Sequence, residues 1–264
     1  MRAIWSGGIS LGLIYIPINM YSATQSVSLD LDMLSKKDLN PIRYARIDSE
    51  TGKEVPWKDV VKGFEYSKGD YVVLTDEDFE KVDIHASKSI EIDAFVDADD
   101  IDPMYFEKPY YLEPDKGASK TYALFVQALK KSNKVGVAEF VLRNREHLCI
   151  LKPEGSMLML NQMRYESEIK STSSLEIPKS KDISGKEMNM ATALIETMSE
   201  KFNPGEYKDD YINGLKKIIE AKKHHRKVQG PKKAPKATKT TDLMKQLQES
   251  LDAMKKESVK AKAK

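Results

Sequence analysis

The sequence predicts a mixed, mainly β fold: a β-barrel core or a strongly curved sheet, then a C-terminal helical arm and a basic tail. Three observations carry this. Apolar and polar residues alternate through many short segments of the first two-thirds of the chain. Turn formers punctuate those segments at Thr51-Gly52, Lys68-Gly69-Asp70, Arg143-Asn144-Arg145 and Pro153-Glu154-Gly155. After about residue 165 the apolar spacing becomes helical. Many strands with short turns leave unpaired edges unless the sheet curls or closes, and a barrel removes them altogether.

The elements follow in order. "GGISLGL" has glycines but no following Lys-Ser/Thr, so it is no phosphate loop; its alternation predicts a strand with close backbone contacts. Arg2 and "ISLGLIYIPINMYSAT" have the outline of a signal peptide, but Pro17, Tyr15, Asn19 and the lack of an A-x-A site argue against export. The apolar run is also too short for a membrane span. "VSLDLDML" (27–34), "PIRYARI" (41–47), "YVVLT" (71–75) and "SIEIDAFV" (89–96) alternate with period two and predict strands. "GVAEFVLR" (136–143), "EHLCILK" (146–152) and "SMLMLNQM" (156–163) do so less strictly.

Helices interrupt the strands. Thr75 with Asp78 predicts a capping box for a short helix over 76–82, and "SKTYALFVQALKKSN" (119–133) an amphipathic helix. Ser184 and Glu187 form a second box, leading into Met188, Ala191, Leu194, Ile195, Met198 and Phe202. Asn203-Pro204 ends that helix, and Tyr207, Tyr211, Leu215, Ile218 and Ile219 define another to about 222. These two helices must pack on the sheet or on a second subunit. Near the end, Leu243, Leu247 and Leu251 fall at i, i+4, i+8, with Met244 and Met254 beside them. A stretch with two prolines and almost no apolar residue precedes this stripe, so it must fold back or meet another molecule.

Charge is unevenly placed. Residues 221–264 hold 14 Lys/Arg against 4 Asp/Glu, or +10, and the remainder holds 29 against 37, or −8. A basic tail on an acidic body points to nucleic acid or an acidic partner. A single cysteine excludes a disulfide framework and a cysteine-based zinc site, and fits a reducing cytoplasm.

Motifs for catalysis are sparse. The chain has no G-x-S-x-G elbow, no H-E-x-x-H and no cysteine paired with a base. Asp97, Asp99, Asp100 and Asp102 lack the glycine and terminal glutamate of a calcium loop and read as a solvated strand end. His85 and His147 read as surface or satisfied histidines, His224-His225 as part of the basic segment, and Cys149 as a small buried hydrophobe. No catalytic residue, metal site or cofactor is expected. Basic residues in turns and on polar strand faces remain: Lys36, Lys37, Arg43, Arg46, Lys130, Lys131, Lys134, Arg143, Arg145 and Arg164. If they converge they can hold a polyanion through its phosphates, positioning it without reading sequence.

Six blocks carry a resemblance. "MRAIWSGGISLGLIYIPINMYSAT", "KKDLNPIRYARI", "GKEVPWKDVVKGFEYSKGDYVVLTDEDFE", "IEIDAFVDADDIDPMYFEKPYYLEPDKG" and "VAEFVLRNREHLCILKPEG" resemble bacterial Ku proteins, as does "MATALIETMSEKFNPGEYKDDY". The resemblance covers nearly the whole chain. It implies a homodimer whose two β-barrels and bridging strands form a ring threaded by the end of double-stranded DNA. It also implies a role in non-homologous end joining with an ATP-dependent ligase of the DNA ligase D type, in the cytoplasm and associated with the nucleoid. The expected organisation is a barrel core with its DNA-encircling bridge over 1–184 and a helical arm making dimer contacts over 185–222. A basic linker (223–240), an amphipathic ligase-docking helix (241–256) and a basic tip (257–264) follow. DNA contacts are expected from Lys36, Lys37, Arg43, Arg46, Lys130, Lys131, Arg143, Arg145 and Arg164, and from Lys232, Lys233, Lys236 and Lys239 of the tail. Ligase contacts are expected from Leu243, Leu247 and Leu251.

Two departures are visible. Family members often have Asn and Lys where this chain has Tyr15 and Asn19, and many have a Cys-x-x-Cys pair where this chain reads "IDSETGKE", so no metal knuckle is expected. Two other functions compete with end binding. One is a nucleoid-type coating protein binding any duplex through its tail; the other is a nuclease using Asp97, Asp99, Asp100 and Asp102.

Overall fold

The computed structural model describes residues 1–82, 88–143, 145–177, 183–226 and 245–252. The chain divides into two units, Met1–Thr172 and Ser173–Lys264. In the first, the strands are β1 Trp5–Leu11, β2 Ile14–Ser22, β3 Lys62–Ser67, β4 Asp70–Leu74, β5 Ser89–Asp97, β6 Phe106–Pro114, β7 Lys134–Val141, β8 Glu146–Glu154 and β9 Met157–Met163. Seven of them close a barrel in the order β1-β2-β6-β9-β8-β7-β5, and β3 and β4 form a separate two-stranded sheet. All barrel pairs are antiparallel except β1 with β5, which closes the ring in parallel register from Gly8 opposite Ser89.

The period of two sorts side chains between interior and surface. On β2, Ile16, Ile18 and Met20 are buried and Tyr15, Pro17, Asn19 and Tyr21 point outward. Pro17 is tolerated because the β6 ladder stops at Ile18. Its carbonyl accepts from the Asp115 amide on that side, so its missing N–H costs no ladder bond. The expected close contacts of the first strand are present: a Cβ at Gly7 would collide with the Lys88 carbonyl, and one at Gly8 with the Tyr15 ring. Each large side chain buried here contributes about 1.5–3 kcal/mol, so the barrel interior is the main source of stability.

Two helices belong to this unit: α1 Asp76–Val82 and α2 Ser119–Ser132. The α1 box is half formed. The Asp78 carboxylate accepts from the Thr75 backbone N–H at 3.0 Å and from its hydroxyl at 2.9 Å, so the hydroxyl donates rather than caps. Helix α2 puts Tyr122, Phe125, Val126 and Leu129 into the barrel core and ends on Asn133, in the left-handed conformation. The Tyr122 hydroxyl donates to the Leu112 carbonyl and accepts from the Leu158 amide, both at 2.6 Å. Leu112 and Leu158 face each other at one end of the β6–β9 ladder, so the tyrosine bonds the last rung.

Two expected strands are absent. Residues 27–34 and 41–47 contribute isolated bridges only, Leu34 with Pro41 and Ile47 with Glu54. Alternation prescribes two faces but not a neighbour: the segments touch each other where the Ile42 amide donates to the Met33 carbonyl, and the Val55 amide donates to the Arg46 carbonyl, but among the described residues neither contact continues into a ladder. They are almost wholly exposed.

In the second unit, α3 Gly185–Met198 starts at the expected box: the Glu187 amide donates to the Ser184 hydroxyl and the Glu187 carboxylate accepts from the Ser184 amide. Asn203-Pro204 opens a single 3-10 turn, and α4 Asp210–Lys223 follows, capped by the Asp209 carboxylate. No residue of α3 or α4 is buried; Met188, Ile195, Met198, Tyr211 and Ile219 are exposed. Residues 245–252 are helical.

Candidate nucleic-acid interface

Strand direction fixes which basic residues can meet. The β7–β8 turn lies at one end of the barrel, because Val141 pairs with Glu146 there. At the same end β2 finishes (Ser22 opposite Tyr110), β5 begins (Ile90 opposite Phe140) and β9 finishes (Met163 opposite Phe106). The excursion between β2 and β5, residues 23–88, therefore leaves and returns at the end bearing Arg143, Arg145 and Arg164. Helix α2 joins the end of β6 to the start of β7, at the opposite end. Lys130 and Lys131, in the last turn of α2, are thus separated from Arg143, Arg145 and Arg164 by the height of the barrel.

The excursion carries Lys36, Lys37, Arg43 and Arg46, all exposed. Lys36 and Lys37 sit in a turn closed by the Leu39 amide bonding the Ser35 carbonyl at 2.8 Å. The Arg46 guanidinium lies over the Trp57 ring, 5.0 Å from its centroid, which holds the cation on a flat exposed surface. Lys62 stacks in the same way on Phe79 at 4.4 Å. These cations are solvated and presented outward, the arrangement that favours contact with phosphates.

At the barrel end, Leu142 and Arg145 exchange backbone hydrogen bonds at 2.9 and 3.3 Å, enclosing the turn that contains Arg143. Arg145 pairs with Glu168 at 3.2 Å, and both side chains are largely exposed, so the pair contributes little to stability. Arg164 is different: its guanidinium donates to the carbonyls of Phe106 at 2.7 Å and Met104 at 3.3 Å. It clamps the end of β9 to the start of β6 and has fewer donors left for a phosphate.

Beneath the turn lies a polar network that sequence reasoning missed. The Tyr110 hydroxyl donates to Gln162 Oε1 at 3.3 Å, and Gln162 Nε2 donates to Glu107 at 3.1 Å and faces His147 Nδ1 at 3.1 Å. Glu107 reaches Gln162 because a bulge between Phe106 and Lys108 re-aims it. Burial, then the Arg145 charge, pushes the His147 pKa below its ordinary value, and burial, then Glu107, raises that of Tyr110. His147 is thus a satisfied histidine, as the sequence suggested. The residues of the network come from β6, β8 and β9, and no local motif joins them.

Cys149 is fully buried, and desolvation raises its thiol pKa well above the usual range, so it is unreactive. Asp97 pairs with Lys134 at 2.7 Å, and Asp102 caps a 3-10 turn by accepting from the Met104 amide at 2.8 Å. Asp99 and Asp100 are exposed in an adjoining turn. Among the described residues no group of three or more His, Cys, Asp or Glu is placed to hold a metal ion. No described helix is long and apolar enough to cross a membrane.

Of the tail residues, Lys232, Lys233, Lys236, Lys239 and Leu243 lie outside the described residues. Leu251 is 6% exposed and Leu247 half-buried, while the other residues of 245–252 are exposed. The stripe is therefore sided, and its last leucine is already covered.

Comparison with known proteins gives a consistent result. Residues 10–190 match the family described as the Ku70/Ku80 beta-barrel domain. The chain is 42% identical to the non-homologous end joining protein Ku of Opitutus terrae, over 96% of this chain and 92% of that protein. It is 39% identical to the protein of the same name from Pseudomonas aeruginosa, over 84% and 76% respectively. The corresponding Coxiella burnetii protein is 33% identical, over 97% and 96%.

Proposed function

The chain belongs to the bacterial Ku family of non-homologous end joining proteins, and from that premise we propose that it binds the ends of double-stranded DNA as a ring-shaped homodimer. The observation that carries the reading is topological. A closed barrel sends out one long excursion between β2 and β5, whose described residues are mostly exposed, from the end that bears Arg143 and Arg145. Its alternating segments 27–34 and 41–47 meet each other only around the Leu34–Pro41 bridge and form no ladder among the described residues, and pairing with a second copy would extend them. The exposed apolar residues of α3 and α4 supply further area for the same dimer.

Binding proceeds through phosphates. Lys36, Lys37, Arg43 and Arg46 of the excursion, with Arg143 and Arg145, contact the backbone and read no bases. Preference for ends then comes from closure, since a ring loads only where a duplex stops. The chain is not an enzyme; it holds and bridges ends for a DNA ligase D type partner, which docks on the stripe of Leu243, Leu247 and Leu251. Because Leu251 is covered, docking exchanges one apolar surface for another and follows release of the helix.

The test compares retention on a linear duplex, on the same sequence as a closed circle, and on a linear duplex whose ends carry bulky hairpins before protein is added. Strong retention on the open linear form alone supports the ring. Equal retention on all three at moderate salt supports the coating reading through the basic tail and removes this one.

A further inference from the structure

The β7–β8 turn overhangs a hollow of about 330 Å³ whose lining includes Lys108, Tyr110, Arg143, Arg145, His147 and Gln162. That is the lower end of the range for small-molecule sites, with room for a phosphate and a sugar-sized group. The floor is already satisfied internally: Gln162 bonds Tyr110, His147 and Glu107. The cations above it are not balanced. Arg145 has Glu168, but Arg143 and Lys108 have no acidic partner among the described residues. Lys108 lies 5.4 Å from the Tyr110 ring centroid, which fixes its ammonium at the rim of the hollow.

A second observation concerns the backbone. Arg143 has φ +55, the left-handed region that favours glycine or asparagine in a tight hairpin turn. A large side chain there costs on the order of 1–3 kcal/mol, and such strain clusters where a ligand is held. Here it belongs to a residue that lines the hollow beside its salt-bridged neighbour Arg145.

We propose that this hollow binds a phosphomonoester, with the Arg143 guanidinium and Lys108 ammonium holding the dianion and Tyr110 and His147 forming its floor. Arginine presents parallel N–H donors that match phosphate geometry, and the lysine adds a point charge. The phosphate comes either from the 5′ terminus of a DNA strand or from a free small phosphorylated molecule. The site stands on its own residues and does not require the ring.

The full chain is titrated with inorganic phosphate and with ribose 5-phosphate at constant ionic strength, following the His147 imidazole resonance. Saturable shifts are expected, with ribose 5-phosphate the tighter. Lys108→Gln and Arg143→Asn, the latter a residue that tolerates the turn, each weaken that binding about tenfold or more. Lys130→Gln, at the other end of the barrel, leaves it unchanged. A second arm compares 5′-phosphorylated and 5′-hydroxyl duplexes. A several-fold preference for the phosphorylated end that disappears in both variants identifies a DNA terminus as the occupant; equal duplex binding with saturable ribose 5-phosphate identifies a free molecule. The site is overturned if neither phosphate probe gives a saturable shift, or if folded Lys108→Gln and Arg143→Asn variants bind them as the parent does. Those failures leave duplex retention untouched, so they are distinguishable from failure of the end-binding reading.

Discussion

Replacing Tyr122 with Phe removes a single oxygen from the sealed end of the barrel. That hydroxyl is 2.6 Å from both the Leu112 carbonyl and the Leu158 amide, and the tyrosine is only 4% exposed. Leu112 and Leu158 are themselves buried, so no water can replace it. An unsatisfied buried donor or acceptor costs about 1–3 kcal/mol, and a carbonyl loses less than an amide because it keeps a second lone pair. The expected loss is about 2–4 kcal/mol, or roughly 5–15 °C in Tm for a unit of this size. Urea titration should show a lower midpoint with an unchanged slope. Duplex binding of the folded variant should be unchanged, because Tyr122 is at the opposite end from Arg143. The exposed Tyr71→Phe is the control, expected within about 0.5 kcal/mol of the parent. A Tyr122→Phe loss below about 0.5 kcal/mol would refute the account of the last rung.

His147 has a lowered pKa in the folded chain, so the unfolded chain takes up its proton first as pH falls. Its contribution to stability is complete above the unfolded value of about 6.5 and is lost progressively below it; His147→Gln should remove that part of the pH dependence in denaturation curves. Neutralising Arg43 and Arg46 together should weaken duplex binding and lower the slope of log affinity against log salt by about 2, measured by fluorescence anisotropy; an unchanged slope would take both off the phosphate backbone. Replacing Leu247 and Leu251 with Asp should leave end binding intact and abolish stimulation of the ligase in a joining assay. Equal stimulation would place ligase contact elsewhere.

Sequence reading was strongest where one element carries its own signal. Period-two alternation found β4, β5, β7, β8 and β9, and Ser184 with Glu187 marked the start of α3 to the residue. It was weakest where the outcome depends on a distant neighbour. The first apolar run resembled an exported leader and was not divided into β1 and β2, because Gly12, with φ +55, is a quiet turn signal. Strand β6 was missed, since "FEKPYYLEP" has two prolines and three charges within nine residues, yet its Tyr110 and Leu112 are buried. Segments 27–34 and 41–47 alternate as well as any strand and pair with almost nothing in the chain. The hollow under Arg143 was illegible because its residues come from β6, the β7–β8 turn, β8 and β9, which only barrel closure brings together. Arg164 was counted as a free cation because sequence does not reveal that two carbonyls occupy its guanidinium.

Topological capture is the claim on which the account of end binding rests. Protein is loaded on an open linear duplex, both ends are then blocked with bulky adducts, and salt is raised until binding to phosphates alone is lost. A threaded ring stays on the blocked duplex and leaves when a restriction cut reopens an end. Release at the same salt from blocked and open duplexes would contradict it.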